Sequence, residues 1–144
     1  MRRLSSAASL AVAGPVGLGL LALALYRTTL LPGVWWWDTG EFQTVGPLLG
    51  TAHPTGYPSY VILGWLASIV LAPAGEPAIR MNLLSAILVA AAVAGTAAIG
   101  RILTGWGWLG LVVGVGLALT PGVWAISTAA DPHALQLGLV VAIV

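Results

Sequence analysis

Two carboxylic acids lie three residues apart in the segment WWWDTGEF, directly after three tryptophans. They are Asp38 and Glu41, two of the four acids in a chain of 144 residues. An Asp-x-x-Glu pair at a helix start commonly forms a capping box, in which each acid accepts a hydrogen bond from a backbone N–H. A carboxylate can instead act as a general base that takes the proton of an attacking hydroxyl. The spacing alone leaves both interpretations open.

The segment AHPTGYP supplies two further candidates, His53 and Tyr57. Its two prolines and one glycine predict a loop of fixed shape. An imidazole and a phenol held on such a loop suit the binding of a phosphate or a sugar. A solvated loop histidine without a function is the alternative.

Polar residues also occur at the starts of two later apolar segments. Arg80 and Asn82 lie in AIRMNLLSAILV, where the arginine either anchors a helix at lipid headgroups or binds the phosphate of a lipid carrier. Asp131 precedes Pro132 in TAADPHAL, the usual pairing of an N-cap with proline at the first helical position. A substrate-binding role for Asp131 is the alternative, and the pattern assigns no role to His133.

The composition identifies an integral membrane protein. Apolar residues make up 59% of the chain and charged residues 6%, against roughly 25% charged residues in soluble domains. The mean hydropathy of +1.01 agrees. The absence of cysteine excludes disulfides and thiolate metal sites, and the presence of two histidines argues against a multi-His metal site. A net charge of +1 excludes nucleic-acid binding through basic patches.

The elements that must position these residues are predicted to be helices. We expect an all-α polytopic membrane protein with spans at 6–26, 79–103 and 108–127, and the start of a fourth span at 132–144. Between the first two spans, 27–78 is expected to be a loop with short interfacial helices. Residues 58–71 would give about 21 Å of helix, short of the ~30 Å hydrocarbon core, so an interfacial helix is favoured over a short span.

Small residues and proline refine these helices. Ala90, Ala94 and Ala98 recur every four residues, as do Gly110 and Gly114, a spacing that lets a second helix approach closely. Pro121 is expected to kink or end the helix that contains it.

Two arginines at the N-terminus predict that this end lies in the cytoplasm, and a cleaved signal peptide is the alternative. If 58–71 does not span, all four acids and both histidines share the opposite face. The final apolar run has no cap or polar tail after it, which predicts the N-terminal piece of a longer protein.

Residues 31 to about 95 resemble the protein O-mannosyltransferase-like membrane family. The resemblance rests on three ordered motifs: Asp-x-Gly-Glu at 38–41 with Leu-Gly at 49–50, His-Pro-x-Gly-Tyr-Pro at 53–58, and Arg-x-Asn-Leu-Leu-Ser at 80–85. The sequence departs from the family pattern in two places. Thr55 stands where proline is usual, and Asp131-Pro132-His133 stands where a Glu-Val-Tyr-like stretch is usual, which puts any role of Asp131 in doubt.

The family is similar to the GT-C glycosyltransferases, whose first non-cytoplasmic loop carries short helices along the membrane. The resemblance implies a membrane enzyme that moves mannose or another hexose from a polyprenyl-phosphate donor to a protein or glycan hydroxyl. It implies Asp38 or Glu41 as general base, with Asp38 preferred. His53, Tyr57, Arg80, Asn82 and Asp131 are the expected substrate-binding residues.

Partners other than the donor and the acceptor are limited to membrane lipid. The resemblance implies no cofactor and no metal, since lipid-phosphate donors leave without an obligatory metal in much of this superfamily. The expected location is a bacterial plasma membrane. Two competing functions are a transporter or flippase for a lipid-linked substrate and a non-catalytic, truncated membrane subunit. No phosphate-binding loop, HExxH motif or serine nucleophile elbow is present in the sequence.

Overall fold

A computed structural model describes the backbone of residues 2–144 and the side chains of residues 12–144. The described chain is all-helical and contains no strand, which confirms the predicted class. The helices are α1 (Arg2–Thr28), α2 (Trp37–Leu48), α3 (Pro58–Val70), α4 (Pro77–Thr104), α5 (Gly107–Ala118), α6 (Pro121–Thr128) and α7 (Pro132–Ile143). A short 3-10 turn, Ala72–Ala74, joins α3 to α4.

Proline and glycine set many of the helix boundaries. Helices α3, α4, α6 and α7 begin with proline, which has no N–H to leave unsatisfied in the first turn and already has a helical φ. The C-cap of α4 is Gly105, which follows Thr104. Its φ of 72° is left-handed, and its N–H donates to the carbonyl of Arg101. These boundaries follow directly from residue type.

Helix α4 is the central element, and α1, α5, α6 and α7 pack around it. Small residues permit the close contacts. A Cβ added at Gly19 of α1 would lie 2.9 Å from the carbonyl oxygen of Ala90 and from the Cβ of Ala94. A Cβ added at Gly110 of α5 would collide with the carbonyl oxygen of Ala97. The predicted small-residue packing is therefore present on two faces of α4.

The segment predicted as one span at 108–127 is two helices. Helices α5 and α6 meet at a bend of 67°. Pro121 has no N–H to donate to the preceding turn, and Thr120 instead bonds the carbonyl of Leu117 in a tighter turn. The bend follows from the missing backbone donor, as the proline predicted.

One described helix, α4, is long and apolar enough to cross a membrane, and α5 and α6 qualify only as one bent span. At ~1.5 Å per residue, the 28 residues of α4 measure about 42 Å. Helix α3 has 13 residues, or about 20 Å. The described part of α1, Val12–Thr28, and α7 are apolar but also short. The structure thus supports one or two crossings, and the four-span topology stays a prediction.

A cluster of buried side chains holds α2 and α3 against the first turns of α4. Phe42, Tyr60, Met81 and Leu84 are all at most 5% exposed. Gly46 of α2 and Gly64 of α3 leave room for Met81, since a Cβ on either would lie within 2.7 Å of the methionine methyl group. This cluster fixes the helices that carry the candidate site.

Candidate functional site

Asp38 and Glu41 do not form the capping box that their spacing allows. Helix α2 starts two residues earlier than that motif requires, with Trp36 in place of Asp38 as N-cap, and no side chain caps it. Asp38 therefore lies in the first turn, where its charge suits the helix dipole. The carbonyl of Trp35 lies against Gly40, where any Cβ would collide with it. This approach of the tryptophan segment places the helix start before Asp38.

Glu41 bonds the histidine loop instead of its own helix. One carboxylate oxygen accepts from the backbone N–H of His53 at 2.7 Å, and the other pairs with the Nδ1 of its ring at 2.6 Å. The ring hydrogen bond lowers the pKa of the Glu41 carboxyl and raises the pKa of the His53 imidazole. Both effects favour an ionised acid paired with a protonated ring, and both Glu41 oxygens are occupied.

An aromatic cluster holds the other side of the histidine ring. Phe42 is buried, and its ring centroid lies 5.7 Å from that of His53 and 5.1 Å from that of Tyr57. Tyr57 is the N-cap of α3 and has a φ of 46°, in the left-handed region that a tyrosine rarely adopts. Strained backbone of this kind is common where a binding residue is held in place.

Asp38 lies beside the Glu41–His53 pair but is exposed to solvent. One ligand atom from each of the three residues lies within 4.8 Å of the others. The charge of Asp38 also contributes to the raised pKa of His53. Two carboxylates and an imidazole are ligand types that divalent cations accept, so the absence of a metal stays a prediction from the sequence.

Asp131 faces Asp38 across a small polar pocket of about 60 Å³. Its side chain caps α7 by accepting from the backbone N–H of His133 at 2.8 Å, as the Asp-Pro pairing predicted. The same oxygen lies 2.7 Å from the Nδ1 of the His133 ring. The site therefore contains a second carboxylate–histidine pair, which the sequence did not identify.

The motif Arg-x-Asn-Leu-Leu-Ser positions α7 relative to α2. Asn82 and Ser85, one helical turn apart, are both fully buried. The side-chain oxygen of Asn82 accepts from the backbone N–H of Ala130 at 2.9 Å, and the Ser85 hydroxyl accepts from Asp131 at 3.2 Å. The Asn82 oxygen also accepts from the Gln43 amide at 2.9 Å. One asparagine thus joins both walls of the pocket.

Gln43 extends this network to the tryptophan segment. Its side-chain oxygen accepts from the backbone N–H of Trp35 at 2.9 Å, and its amide also donates to the carbonyl of Gly33 at 3.1 Å. Asn82 donates to the carbonyl of Leu31 at 3.0 Å. The contacts of Asn82 are to protein groups, so its predicted role in substrate binding has no support among them.

The structure separates Arg80 from His53. The guanidinium donates to the carbonyls of Gly75 at 2.6 Å and Ser68 at 2.9 Å, so it binds the C-terminal end of α3. His53 precedes the opposite end of α3, and Ser68 lies ten residues, about 15 Å, from the first residue of the helix. Arg80 and His53 therefore lie towards opposite ends of α3, and phosphate binding by either residue stays a prediction.

An apolar groove of about 340 Å³ lies between the start of α3 and α7. It shares Tyr57, Pro132 and His133 with the polar pocket. Leu139, Val140 and Ile143 lie at its far end and are more than half exposed. The site thus consists of a polar pocket beside Asp38 that opens into an apolar channel.

Residues 38–144 match the family described as the Protein O-mannosyl-transferase TMEM260 N-terminal domain. The chain belongs to this family. The match begins at Asp38 and contains all of the site residues described above. Mouse Protein O-mannosyl-transferase TMEM260 is 40% identical over 85 residues, which are 57% of this chain and 12% of the mouse protein. The chain therefore spans about an eighth of that relative, and no solved structure matches it.

Membership of the TMEM260 N-terminal domain family confirms the resemblance seen in the sequence. Several site residues nevertheless escaped sequence reasoning: Phe42, Gln43, Ser85 and His133. Phe42 and Gln43 stand directly after Glu41 on a short helix whose hydrophobic pattern is weak, and no local signal marks them as buried. The Asp-x-His spacing at 131–133 was the available signal for His133, because a capping acid often meets a polar side chain two residues on.

Proposed function

We propose that the protein is a membrane glycosyltransferase that moves mannose or another hexose from a polyprenyl-phosphate donor to a hydroxyl of a protein or glycan. Family membership supports the glycosyltransferase class. The observation that carries the proposal is the exposed Asp38 at a polar pocket that continues into an apolar groove. A donor with a sugar, a phosphate and an isoprenoid chain has the same order of polar and apolar parts.

The proposed reaction uses Asp38 as general base. The acceptor oxygen attacks the anomeric carbon, its proton passes to the Asp38 carboxylate, and the bond from that carbon to the donor phosphate breaks with inversion. The bonding electron pair leaves with the lipid phosphate. Glu41 is a poorer base, since both of its oxygens accept hydrogen bonds from His53 and its pKa is lowered. Its proposed role is to hold the histidine loop.

The proposed topology places the site outside the cytoplasm. Exposed tryptophans at 35–37 lie near the first turns of α4, and Trp106 and Trp108 follow its opposite end, as expected for two membrane interfaces. The N-terminus is proposed to be cytoplasmic, with α2 and α3 lying along the outer surface. The length of α3, about 20 Å, is less than the ~30 Å thickness of the hydrocarbon core, which supports this arrangement.

The test uses the full-length protein in membranes with radiolabelled mannose on polyprenyl phosphate. We expect label in protein or glycan, no label from a nucleotide-linked mannose, and transfer that persists in a metal chelator. Movement of the intact donor across the bilayer without label in any acceptor would overturn the proposal in favour of a flippase. Loss of transfer in chelator, restored by a divalent cation, would overturn its metal-free form.

A further inference from the structure

The polar pocket and the apolar groove meet at His133. It is the one basic side chain that lines either cavity among the described residues. The other ionisable groups at the junction are the acids Asp38 and Asp131 and the phenols Tyr57 and Tyr60. An anionic group placed between the groove and the pocket therefore meets one group that can carry a positive charge.

The His133 ring is oriented by contacts on one edge. Asp131 lies 2.7 Å from Nδ1, so Nδ1 carries a proton and donates it to the carboxylate. Asp131 is itself held, since its backbone N–H donates to Ser85 and its carboxylate caps α7. No hydrogen bond within residues 12–144 uses Nε2, and the side chain is 67% exposed. The ring thus presents Nε2 to a ligand.

The groove leads away from that nitrogen along α7. Its walls are mostly apolar, and it extends from His133 to Ile143, ten residues further along α7, or about 15 Å of helix. An occupant that fits has a linear apolar chain and one polar head. A polyprenyl phosphate has both, and its phosphate oxygens can accept a hydrogen bond from an imidazole N–H.

We propose that His133 binds the phosphate of the lipid-linked donor through Nε2, with the isoprenoid chain in the groove along α7 and the sugar directed towards Asp38. This assignment rests on the proposed function. During transfer the electron pair of the sugar–phosphate bond moves onto a phosphate oxygen, and Nε2–H donates a hydrogen bond to that oxygen. The acceptor proton goes to Asp38, so His133 need not lose its own.

The test measures binding of farnesyl phosphate and of uncharged farnesol to the full-length protein in detergent, independently of sugar transfer. His133→Ala should weaken farnesyl phosphate roughly tenfold or more, because a hydrogen bond to a charged group is lost. It should leave farnesol unchanged. His133→Gln keeps an N–H donor and should recover part of the affinity for the phosphate.

A second pair of variants tests the groove. Leu139→Asn places a polar amide in its wall and should weaken both ligands. The matched control is Val112→Asn on α5, an apolar position that is 58% exposed, against 52% for Leu139, and lies outside the groove. It should change neither affinity.

The outcomes separate this inference from the proposed function. Unchanged farnesyl phosphate binding in His133→Ala overturns the phosphate contact, even if the wild-type protein transfers mannose. Equal weakening of both ligands also overturns it, because His133 would then only shape the groove. Selective weakening of farnesyl phosphate binding, in a protein that transfers neither mannose nor another hexose, supports the contact and contradicts the proposed function.

Discussion

Single residues of the site divide into an exposed acid and two carboxylate–histidine pairs. Asp38 has its carboxylate at the pocket, whereas Glu41 is occupied by His53 and Asp131 by His133. The hydrogen bonds from His53 lower the pKa of the Glu41 carboxyl, so Glu41 takes a further proton less readily. The division therefore favours Asp38 for proton transfer.

The Glu41–His53 pair should depend on pH. The stabilisation of the folded state by His53 is complete below the unfolded-state pKa of the imidazole. It is lost as the pH rises through the raised pKa of His53 in the folded state. The stabilisation of the folded state by Glu41 is present above the unfolded-state pKa of the carboxyl. It is lost as the pH falls through the lowered pKa of Glu41 in the folded state. The loop at 51–57 should thus be best ordered between these two folded-state pKa values.

Proton NMR of the His53 ring measures this directly. We expect a pKa above the ordinary value of 6.5, and Glu41→Gln should move it back towards that value. The control is Glu76→Gln, since Glu76 is exposed and its side chain makes no capping hydrogen bond. An unchanged His53 titration in Glu41→Gln would contradict the pair.

At the scale of helices, side chains of α4 join the elements that carry the site. Asn82 links α4 to α2 through Gln43 and to α7 through Ala130. The glycine contacts of α4 with α1 and α5 supply a fixed support for this network.

Asn82→Ala should lower the free energy of unfolding by about 1–3 kcal/mol, because it leaves the buried N–H of Ala130 without a partner. The control Gln136→Ala removes an exposed amide that makes no hydrogen bond within the described residues and should change stability little. Denaturation in mixed detergent micelles measures both variants. Equal stability of Asn82→Ala and wild type would contradict the network.

Gly110→Ala should separate α4 from α5 and cost about 1–3 kcal/mol, since the new methyl group meets the backbone of Ala97 and Arg101. Gly116→Ala on the same helix is the matched control, because nothing lies within 4 Å of its added Cβ. Thermal unfolding in detergent compares the two. Helix propensity favours alanine over glycine at both positions. A cost of Gly116→Ala equal to that of Gly110→Ala would therefore contradict close packing of α5 on α4 as the cause.

Local residue types predicted the helices better than the contacts between them. Pro58 and Pro132 marked helix starts correctly, and Pro121 marked the bend between α5 and α6, because proline acts through its own φ and missing N–H. The Glu41–His53 bond was missed, since it joins residues twelve apart whose approach depends on Phe42 packing. The capping box failed for a similar reason, because Trp35 folds over the first turn of α2.

In the whole molecule, α4 separates the end that carries the candidate site from the end that carries Arg101. The site, the tryptophans at 35–37 and the start of α7 lie at its first turns, and Arg101, Trp106 and Trp108 lie at its last. Its length of about 42 Å exceeds the ~30 Å hydrocarbon core, so both ends can reach water. This arrangement gives the proposed orientation a physical basis.

Cysteine labelling tests that orientation in a chain that contains no cysteine. Thr55→Cys in the exposed loop should react with an impermeant thiol reagent added to intact cells. Thr104→Cys, exposed at the opposite end of α4, should react only after permeabilisation. The reverse pattern would invert the topology, and labelling of both sites in intact cells would contradict a membrane crossing by α4.

The central claim is that Asp38 accepts the acceptor proton while Glu41 positions the histidine loop. The most direct measurement is the transfer rate from radiolabelled polyprenyl-phosphate mannose, at saturating donor, in full-length Asp38→Asn and Glu41→Gln proteins, with Glu76→Gln as control. We predict a loss of roughly 10²–10⁴-fold for Asp38→Asn, a smaller loss for Glu41→Gln and none for the control. A normal rate in Asp38→Asn, or a larger loss in Glu41→Gln than in Asp38→Asn, would contradict the account.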